Sequence, residues 1–557
     1  MNKVLSQYFN EKALLLAFER IKRWPNRAVK DTIGIKAFQL NIKENITSLH
    51  TTLIAGNYQA SKPFQYYAPK SSGTQRTQAL LMAQDAIVYQ AIANKIAERA
   101  YPSLKENEAF VFGSVLSNEL SKGESILDDN DASLFFFKFW KDLFGRFADS
   151  VVKAVKEDKV AFKLETDITG FFDSIPHYNL LETLMDDFGV EPEILDILGE
   201  ALNTWCGTKD GCTPGVGIPQ GPLPSFFLAN CLLHTLDKKM IDEGYKYYRY
   251  MDDMKIYGYE EHDLRKALVR IDQYLKSHGL SINSKKTSIE AVTEEDATAK
   301  ELQNVVANFN YEDEDEETIT SQVKEIEKLV DKDHHNYEGS SSDSHTLTDP
   351  QEIREFWIEQ MNEVERDLPL MVVKSDKGYA LAKDSLIDRD FIKLSVQYGT
   401  ALRELNATVM PKDDLLPLWI YLFDKFFWRA NNFWLTLRYY KNNEILKKHL
   451  LASVKKENLY EWHRYYEYFL LSVTQEFTDK EMRSLFNLLK DEKNDYPKVT
   501  LYKLLVRHCS DDQLLRSVKN LLAKEKNEYL RLMIVTFLQI NKSTDITIDE
   551  SFEIYGI

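Results

Sequence analysis

Two apolar spacings divide this chain. Strict alternation, the period of a half-buried strand, runs through Phe162-Lys163-Leu164-Glu165-Thr166 and predicts a strand that delivers Asp167 at its C-terminal end. In Tyr247-Tyr248-Arg249-Tyr250-Met251-Asp252-Asp253-Met254-Lys255-Ile256-Tyr257, aromatic and apolar residues flank two adjacent carboxylates. That pattern predicts two strands joined by a tight acidic turn, since Asp favours turns. Phe64–Lys70 and Thr74–Arg76 around Ser71-Ser72-Gly73 predict another hairpin, with Lys70 and Arg76 on neighbouring strands. Helical spacing marks residues 1–60 in large part, Gln84–Arg99, His177–Phe188 behind Pro176, an apolar helix from about Ser225 to His234, and amphipathic Leu264–His278. Beyond residue 350 the pattern is helix after helix: Glu352–Leu368, Leu415–Tyr440, Leu459–Thr474, Lys480–Asp491, Val499–Cys509, Gln513–Lys524 and Glu528–Gln539. Their lengths are irregular, so an irregular α-solenoid is expected rather than a strict repeat.

Composition narrows the class. At 557 residues the chain is too long for one core, and 44% hydrophobic with 28% charged residues suits a globular protein. No apolar run reaches the roughly 18 residues that span a bilayer; the stretch Phe226–Leu236 is interrupted by Asn230 and His234. The N-terminal run Ala13–Phe18 is a poor signal peptide. The four cysteines form neither a zinc spacing nor a disulfide framework. A cytoplasmic location with no membrane partner is the expectation. The net charge of −17 is concentrated: Ala291–Pro350 holds 17 acidic and 4 basic residues, which leaves −4 for the rest. Local basic grooves remain compatible with that balance, so a polynucleotide partner is not excluded. Glu312–Glu317 and Gly339–Ser342 read as a solvated acidic linker around a short helical pattern at Ile319–Val330.

Several positions carry candidate chemistry. Like charges at Asp252 and Asp253 repel, and a divalent cation removes that cost; on its own the pair is equally an ordinary exposed turn. A carboxylate at the end of a buried strand, as at Asp167, suits a metal ligand, with Asp173 serving as a turn or cap. Lys70 and Arg76 are either a grip for a triphosphate or a solvated hairpin tip. The aromatic run Phe135–Trp140 fits core packing better than base stacking. Gly215, Gly217 and Gly221 allow close backbone approach to a flat ligand or form a plain loop.

Together these pieces resemble the reverse transcriptases. Asp167 with Phe172 matches the family's Asp-x-x-x-x-Phe pattern, Pro219-Gln220-Gly221 its Pro-Gln-Gly motif, Tyr250-Met251-Asp252-Asp253 its Tyr-x-Asp-Asp box, and the stretch ending at Lys286-Thr287 the segment that follows the box. Phe171–His177 is similar to the bacterial and group II intron branch. A helical domain after the palm resembles abortive-infection and other antiphage, defence-associated reverse transcriptases; no cysteine-rich endonuclease module or basic maturase-like tail is seen. The resemblance implies an α+β right-hand polymerase of fingers and palm over residues 1–295, an acidic linker over 296–350 and an all-α, solenoid-like domain over 351–557. It implies an RNA-directed DNA polymerase in which Asp167, Asp252 and Asp253 hold two Mg²⁺ ions, with Mn²⁺ as a substitute. Lys70, Arg76, Phe172, Gln220 and Lys286 then meet the nucleotide. Phe172, five residues past Asp167, lies beneath the sugar and leaves no room for a 2′-hydroxyl, so deoxynucleotides are the expected substrates. RNA template and DNA product are the implied partners; a dedicated non-coding RNA and a homo-oligomer stay open. Template-independent or protein-primed synthesis, a ribonucleotide polymerase and a catalytically silent RNA-binding scaffold are the competing readings.

Overall fold

The computed structural model describes residues 3–23, 32–117, 135–138, 140–207, 211, 213–292, 350–376, 378–405, 409–441, 443–457, 460–474, 476–527, 530–532 and 534–535. The expected acidic linker, apart from Pro350, and most of the expected helix at Glu528–Gln539 lie outside them. The described chain divides into two compact units. One holds the residues up to Gln65 and from Thr77 to residue 292; the other holds Tyr66–Arg76 and the residues from Pro350 onward.

The first unit opens with helices α1 (Lys3–Tyr8), α2 (Glu11–Arg23), α3 (Thr32–Leu40) and α4 (Ile42–Ile54). Strands β1 (Phe64–Pro69) and β2 (Gln75–Leu80) pair as a hairpin whose residues Tyr66–Arg76 belong to the second unit, and α5 (Ala83–Glu106) and α6 (Trp140–Val152) follow in the first. Next come β3 (Phe162–Thr166), the single turn α7 (Phe171–Ser174), α8 (His177–Phe188), α9 (Pro192–Trp205) and α10 (Leu223–Asp242). Strands β4 (Lys246–Tyr250) and β5 (Asp253–Gly258), helix α11 (Glu261–Ser277) and β6 (Ser288–Ala291) complete it. The strand and helix expectations here hold, with α5, α10 and α11 longer than the spacing indicated. Phe136 and Phe137 of the aromatic run are buried, and Phe136 meets Phe227 edge-on at 5.6 Å, which is core packing.

Strands β4, β5, β3 and β6 form an antiparallel sheet in that order. Alternation sends Leu164, Ile256 and Tyr247 to one face, where all three are fully buried. Helices α10 and α11 pack against these strands. Residues 110–112 cover the outer edge of β4: Phe112 N–H donates to the Arg249 carbonyl and Arg249 N–H to that of Phe110, both at 2.9 Å. An edge so covered offers no template for a second chain.

The β4–β5 turn is two residues long, Met251 and Asp252, with Tyr250 paired to Asp253. Met251 has φ 53°, a left-handed conformation that costs an L-residue roughly 1–2 kcal/mol. A buried polar network over-determines it. Arg249 Nη1 donates to the Met251 carbonyl at 2.7 Å and to Asn230 Oδ1 at 2.9 Å. Its Nε and Nη2 form a fork on Asp237 at 2.7 and 2.6 Å, and Tyr247 Oη donates to the same carboxylate at 2.8 Å. Asn230 Nδ2 donates to the carbonyl of Gly113 at 2.8 Å. A Cβ on Gly113 would stand 2.5 Å from the Met251 nitrogen, so only glycine fits against this turn. Burial pulls the Arg249 pKa down, but the Asp237 charge and hydrogen bonds outweigh it and leave the pKa raised.

The second unit is helical: Pro350–Met371, Asp388–Glu404, Leu416–Lys425, Ala430–Leu437, Glu444–Ser453, Glu461–Val473, Asp479–Asp491, Asp495–His508 and Asp512–Ala523. A small hairpin of β7 (Val372–Ser375) and β8 (Gly378–Leu381) interrupts them. The stretch Leu415–Tyr440, expected as one helix, is broken at Phe426 (φ −105°, ψ 53°). Three residues later the buried Arg429 is drawn onto Asp388, Nε to Oδ2 at 3.1 Å. Asp388–Glu404 offers no clean polar face to read from the sequence, because most of its length is buried, Ser395, Gln397 and Thr400 included.

Asp237→Asn should destabilise the first unit by about 3–5 kcal/mol, because it leaves the Arg249 charge buried with its partner gone. Urea unfolding measures this; a change under about 1 kcal/mol contradicts it. A second expectation concerns Asp85, fully buried in α5, which accepts from Tyr58 Oη at 2.6 Å and Ser61 N–H at 3.0 Å. Burial outweighs both bonds and pushes its carboxyl up to about 7. The folded state therefore keeps a proton that the unfolded state, with a carboxyl near 3.8, gives up. Stability from this group is full below the unfolded value and falls as pH rises towards about 7. Thermal midpoints across that window should fall less steeply for Asp85→Asn than for the parent; equal slopes would refute the assignment.

Candidate active site

The site grows from strand register. The β3–β5 ladder ends where Thr166 pairs with Met254, which leaves Asp167 one residue past the end of β3 and Asp253 at the first position of β5. Asp252 occupies the turn beside them. Asp167 is buried, and its Oδ1 accepts no hydrogen bond. Its Oδ2 accepts from Lys286 Nζ at 2.6 Å. Burial lowers the Lys286 pKa, but the bond and charge of Asp167, then the charges of Asp253 and Asp252, leave it raised. One ammonium thus feels all three carboxylates.

A strap of chain fixes Lys286. Asn283 N–H donates to the Asp167 carbonyl at 2.9 Å, Thr169 N–H to that of Ser281 at 2.9 Å, and Lys286 N–H to that of Asn283 at 3.0 Å. Thr287 Oγ1 lies 2.8 Å from Thr166 Oγ1. On the same face of the sheet Lys255 and Lys163 both donate to Glu165, at 2.7 and 3.3 Å. Among the described residues no three His, Cys, Asp or Glu side chains close a metal shell by themselves. Mg²⁺ does not require that: it is commonly held by one or two carboxylates, with waters and substrate phosphates completing the octahedron. An orphaned buried carboxylate oxygen beside two further aspartates fits such an ion.

Phe172 is buried, edge-on to Phe171 at 5.8 Å and Phe226 at 5.2 Å. Its carbonyl accepts Ile218 N–H at 2.8 Å, and the Ile175 carbonyl accepts Gly217 N–H at 2.8 Å. The glycine-rich loop is therefore laced to the segment that follows Asp167. Gly217 has φ 92°, and a Cβ there would press on the Asp173 carbonyl at 3.2 Å. Ser225 Oγ donates to the Pro219 carbonyl at 2.6 Å, and Ala79 N–H to that of Gln220 at 2.9 Å. Gly221 has φ 127°. A cavity of about 640 Å³, within the range of ligand pockets, is lined by Gln65, Thr77, Asp173, Trp205, Gly217 and Gln220 among others.

The fold thus brings Asp167, Asp252, Asp253 and Lys286 together, with Tyr250 ending β4 and Met251 opening the turn. Lys70 and Arg76 belong to the second unit: Lys70 is exposed just beyond β1, and Arg76 is half-buried in β2. Sequence reasoning passed over Arg249, Asp237, Asn230 and Gly113. The available signal was Arg249 alternating with Tyr247 on the inward side of β4, and the polar residues in the apolar run of α10.

Residues 68–303 match the family model described as reverse transcriptase (RNA-dependent DNA polymerase). No curated protein matches the chain. Among solved structures it is similar to apo telomerase from Candida tropicalis truncated from its C-terminal domain, at 14% identity over 42% of this chain and 50% of that one, TM-score 0.28. It is also similar to a partial Cas6-RT-Cas1–Cas2 complex, at 21% identity over 49% of this chain and 41% of that one, TM-score 0.27. The chain spans about half the length of these two. Among the described residues no helix is long and apolar enough to cross a membrane. Residues 68–303, which contain the four-stranded sheet, the acidic turn and Lys286, are a reverse transcriptase domain, the fold of a DNA nucleotidyltransferase.

Proposed function

We propose that this chain is an RNA-directed DNA polymerase that transfers nucleotides from deoxynucleoside triphosphates. The observation that supports this most is the end of the β3–β5 ladder at Thr166 and Met254, which leaves Asp167 and Asp253 as the next residues, with Asp252 in the turn and Lys286 near all three charges, inside the reverse transcriptase domain. Asp167, Asp252 and Asp253 would hold Mg²⁺, with Mn²⁺ as a substitute. Two ions bound there supply Lewis-acid activation of the primer hydroxyl and neutralise charge on the triphosphate and its leaving group. Phosphoryl transfer otherwise requires positioning and electrostatics. Lys286 adds a fixed positive charge beside the carboxylates, and Lys70 and Arg76 bind the triphosphate. Gln220, between Pro219 and Gly221, lines the cavity beside the glycine-rich loop. The RNA template and DNA product are partners in this reading. The resemblance of a polymerase followed by a helical domain to the defence-associated reverse transcriptases supports an antiphage role for this chain.

Asp252→Ala should lower primer extension by at least roughly 10²- to 10³-fold, with the melting temperature unchanged because the side chain sits in a partly exposed turn. Parental rates in the purified variant would remove Asp252 from the site. Cells carrying the variant should also lose protection from phage; protection without incorporation would detach the defence role from this chemistry.

The choice of sugar gives the other expectation. The Phe172 ring is held by Phe171 and Phe226, and its backbone is held by Ile218. A rigid apolar wall against the sugar leaves a 2′-hydroxyl without a partner, for roughly 10- to 100-fold discrimination before any clash. The parent should prefer deoxynucleotides, and Phe172→Val should admit ribonucleotides. A parent that prefers ribonucleotides overturns the DNA-polymerase reading.

A further inference from the structure

The β1–β2 hairpin has a puzzling economy. Two strands alone are marginally stable in water, yet this pair carries Lys70 and Arg76. Its turn closes on itself: Lys70 N–H donates to the Thr74 carbonyl at 2.8 Å and Gly73 N–H to that of Lys70 at 2.9 Å. These bonds fix the shape of the tip without fixing its direction.

The direction is fixed within the second unit, to which Tyr66–Arg76 belongs. Tyr66 is fully buried. Its ring stacks on Tyr496 at 4.4 Å and 22°, and on Trp462 at 6.1 Å and 14°. The stack continues from Tyr496 to Tyr465 at 4.2 Å and 9°. Next in the chain, Tyr67 N–H donates to Oε1 of the buried Glu461 at 2.5 Å. At the turn, Tyr460 Oη donates to the Gly73 carbonyl at 3.3 Å. The tip is therefore held at both ends, by rings at Tyr66 and by a hydroxyl at Gly73, from residues at the start of helix Glu461–Val473 and in helix Asp495–His508. Tyr66 Oη itself makes no hydrogen bond, so the ring rather than the hydroxyl does the holding.

We infer that Tyr66, Glu461, Trp462 and Tyr496 are positioning residues for nucleotide binding: they order the hairpin tip that carries Lys70 and Arg76, so these cations need no ordering when a triphosphate binds them. This rests on the polymerase reading above. Cations on a wandering tip must be ordered when the ligand arrives, and that loss comes out of affinity; cations on a held tip avoid it. The signature is a change in KM for the nucleotide with kcat preserved, because the reacting atoms are untouched.

The test uses the full-length protein. Tyr66→Ala and Glu461→Ala should each raise the deoxynucleotide KM about tenfold with kcat within about twofold of the parent. Tyr66→Phe, which keeps the stack, and Glu461→Gln, which keeps a carbonyl acceptor for Tyr67, should restore the parental KM. Amide hydrogen exchange over residues 64–76 should quicken in the two alanine variants and not in the two conservative ones. If Tyr66→Ala does not fold, Glu461→Ala decides. Unchanged KM in a folded alanine variant, or a fall in kcat with KM unchanged, overturns the inference. If the parent incorporates no nucleotide, the polymerase reading fails, and exchange still judges the clamp: unaltered exchange in the alanine variants overturns it.

Discussion

The buried ion pair of Arg249 and Asp237 is the constraint under which the acidic turn exists. Removing two charges from water is expensive, and a well-packed apolar pair of the same volume is often as stable. An apolar pair could not hand a hydrogen bond to the Met251 carbonyl. The guanidinium has five donors in a rigid fork, and this one spends them on Asp237, Asn230 and Met251 at once. One side chain thus ties β4 to α10 and holds a non-glycine residue at positive φ. Asn230 extends the tie to residues 113 and 114, where the chain passes over the turn.

The two faces of the sheet solve the problem of charge differently. Beneath it, the partners are sealed: Arg249 and Asp237 are 1% and 2% exposed. Above it, Asp167 is buried while Lys286 is 66% exposed. A cation that is already largely hydrated gives up its ion pair at low cost, since water replaces the carboxylate. The lower pair therefore sets geometry, while the upper pair keeps the neighbouring like charges tolerable.

Much of the sheet was legible in the chain because its chemistry is local. Alternation placed β3 and its terminal Asp167, and two aromatic flanks around Asp252-Asp253 placed the hairpin. Pro176 marked the start of α8 to the residue. What could not be read was whatever depends on distant partners. Arg249 reads as one more polar position in a strand until α10 brings Asp237 beneath it. Gly113 has no local signal, because what requires it is a turn more than a hundred residues later. The break at Phe426 was hidden in the same way, since the pairing of Arg429 with Asp388 overrides a continuous helical pattern.

The hairpin tip bears on how such a chain diversifies. Eleven residues, Tyr66–Arg76, pack with a unit whose remaining described residues begin at Pro350, while the flanking Gln65 and Thr77 pack with the other. A cut between residues 292 and 350 separates the sequence into two pieces but does not separate the two compact units. Recombination that exchanges the helical part would strip Tyr66 of Trp462 and Tyr496 and Tyr67 of Glu461, unless the short early segment travelled with it. The helical part is thus heritable only as a set of two non-contiguous pieces, and drift in the aromatic residues of one piece is answerable to the other.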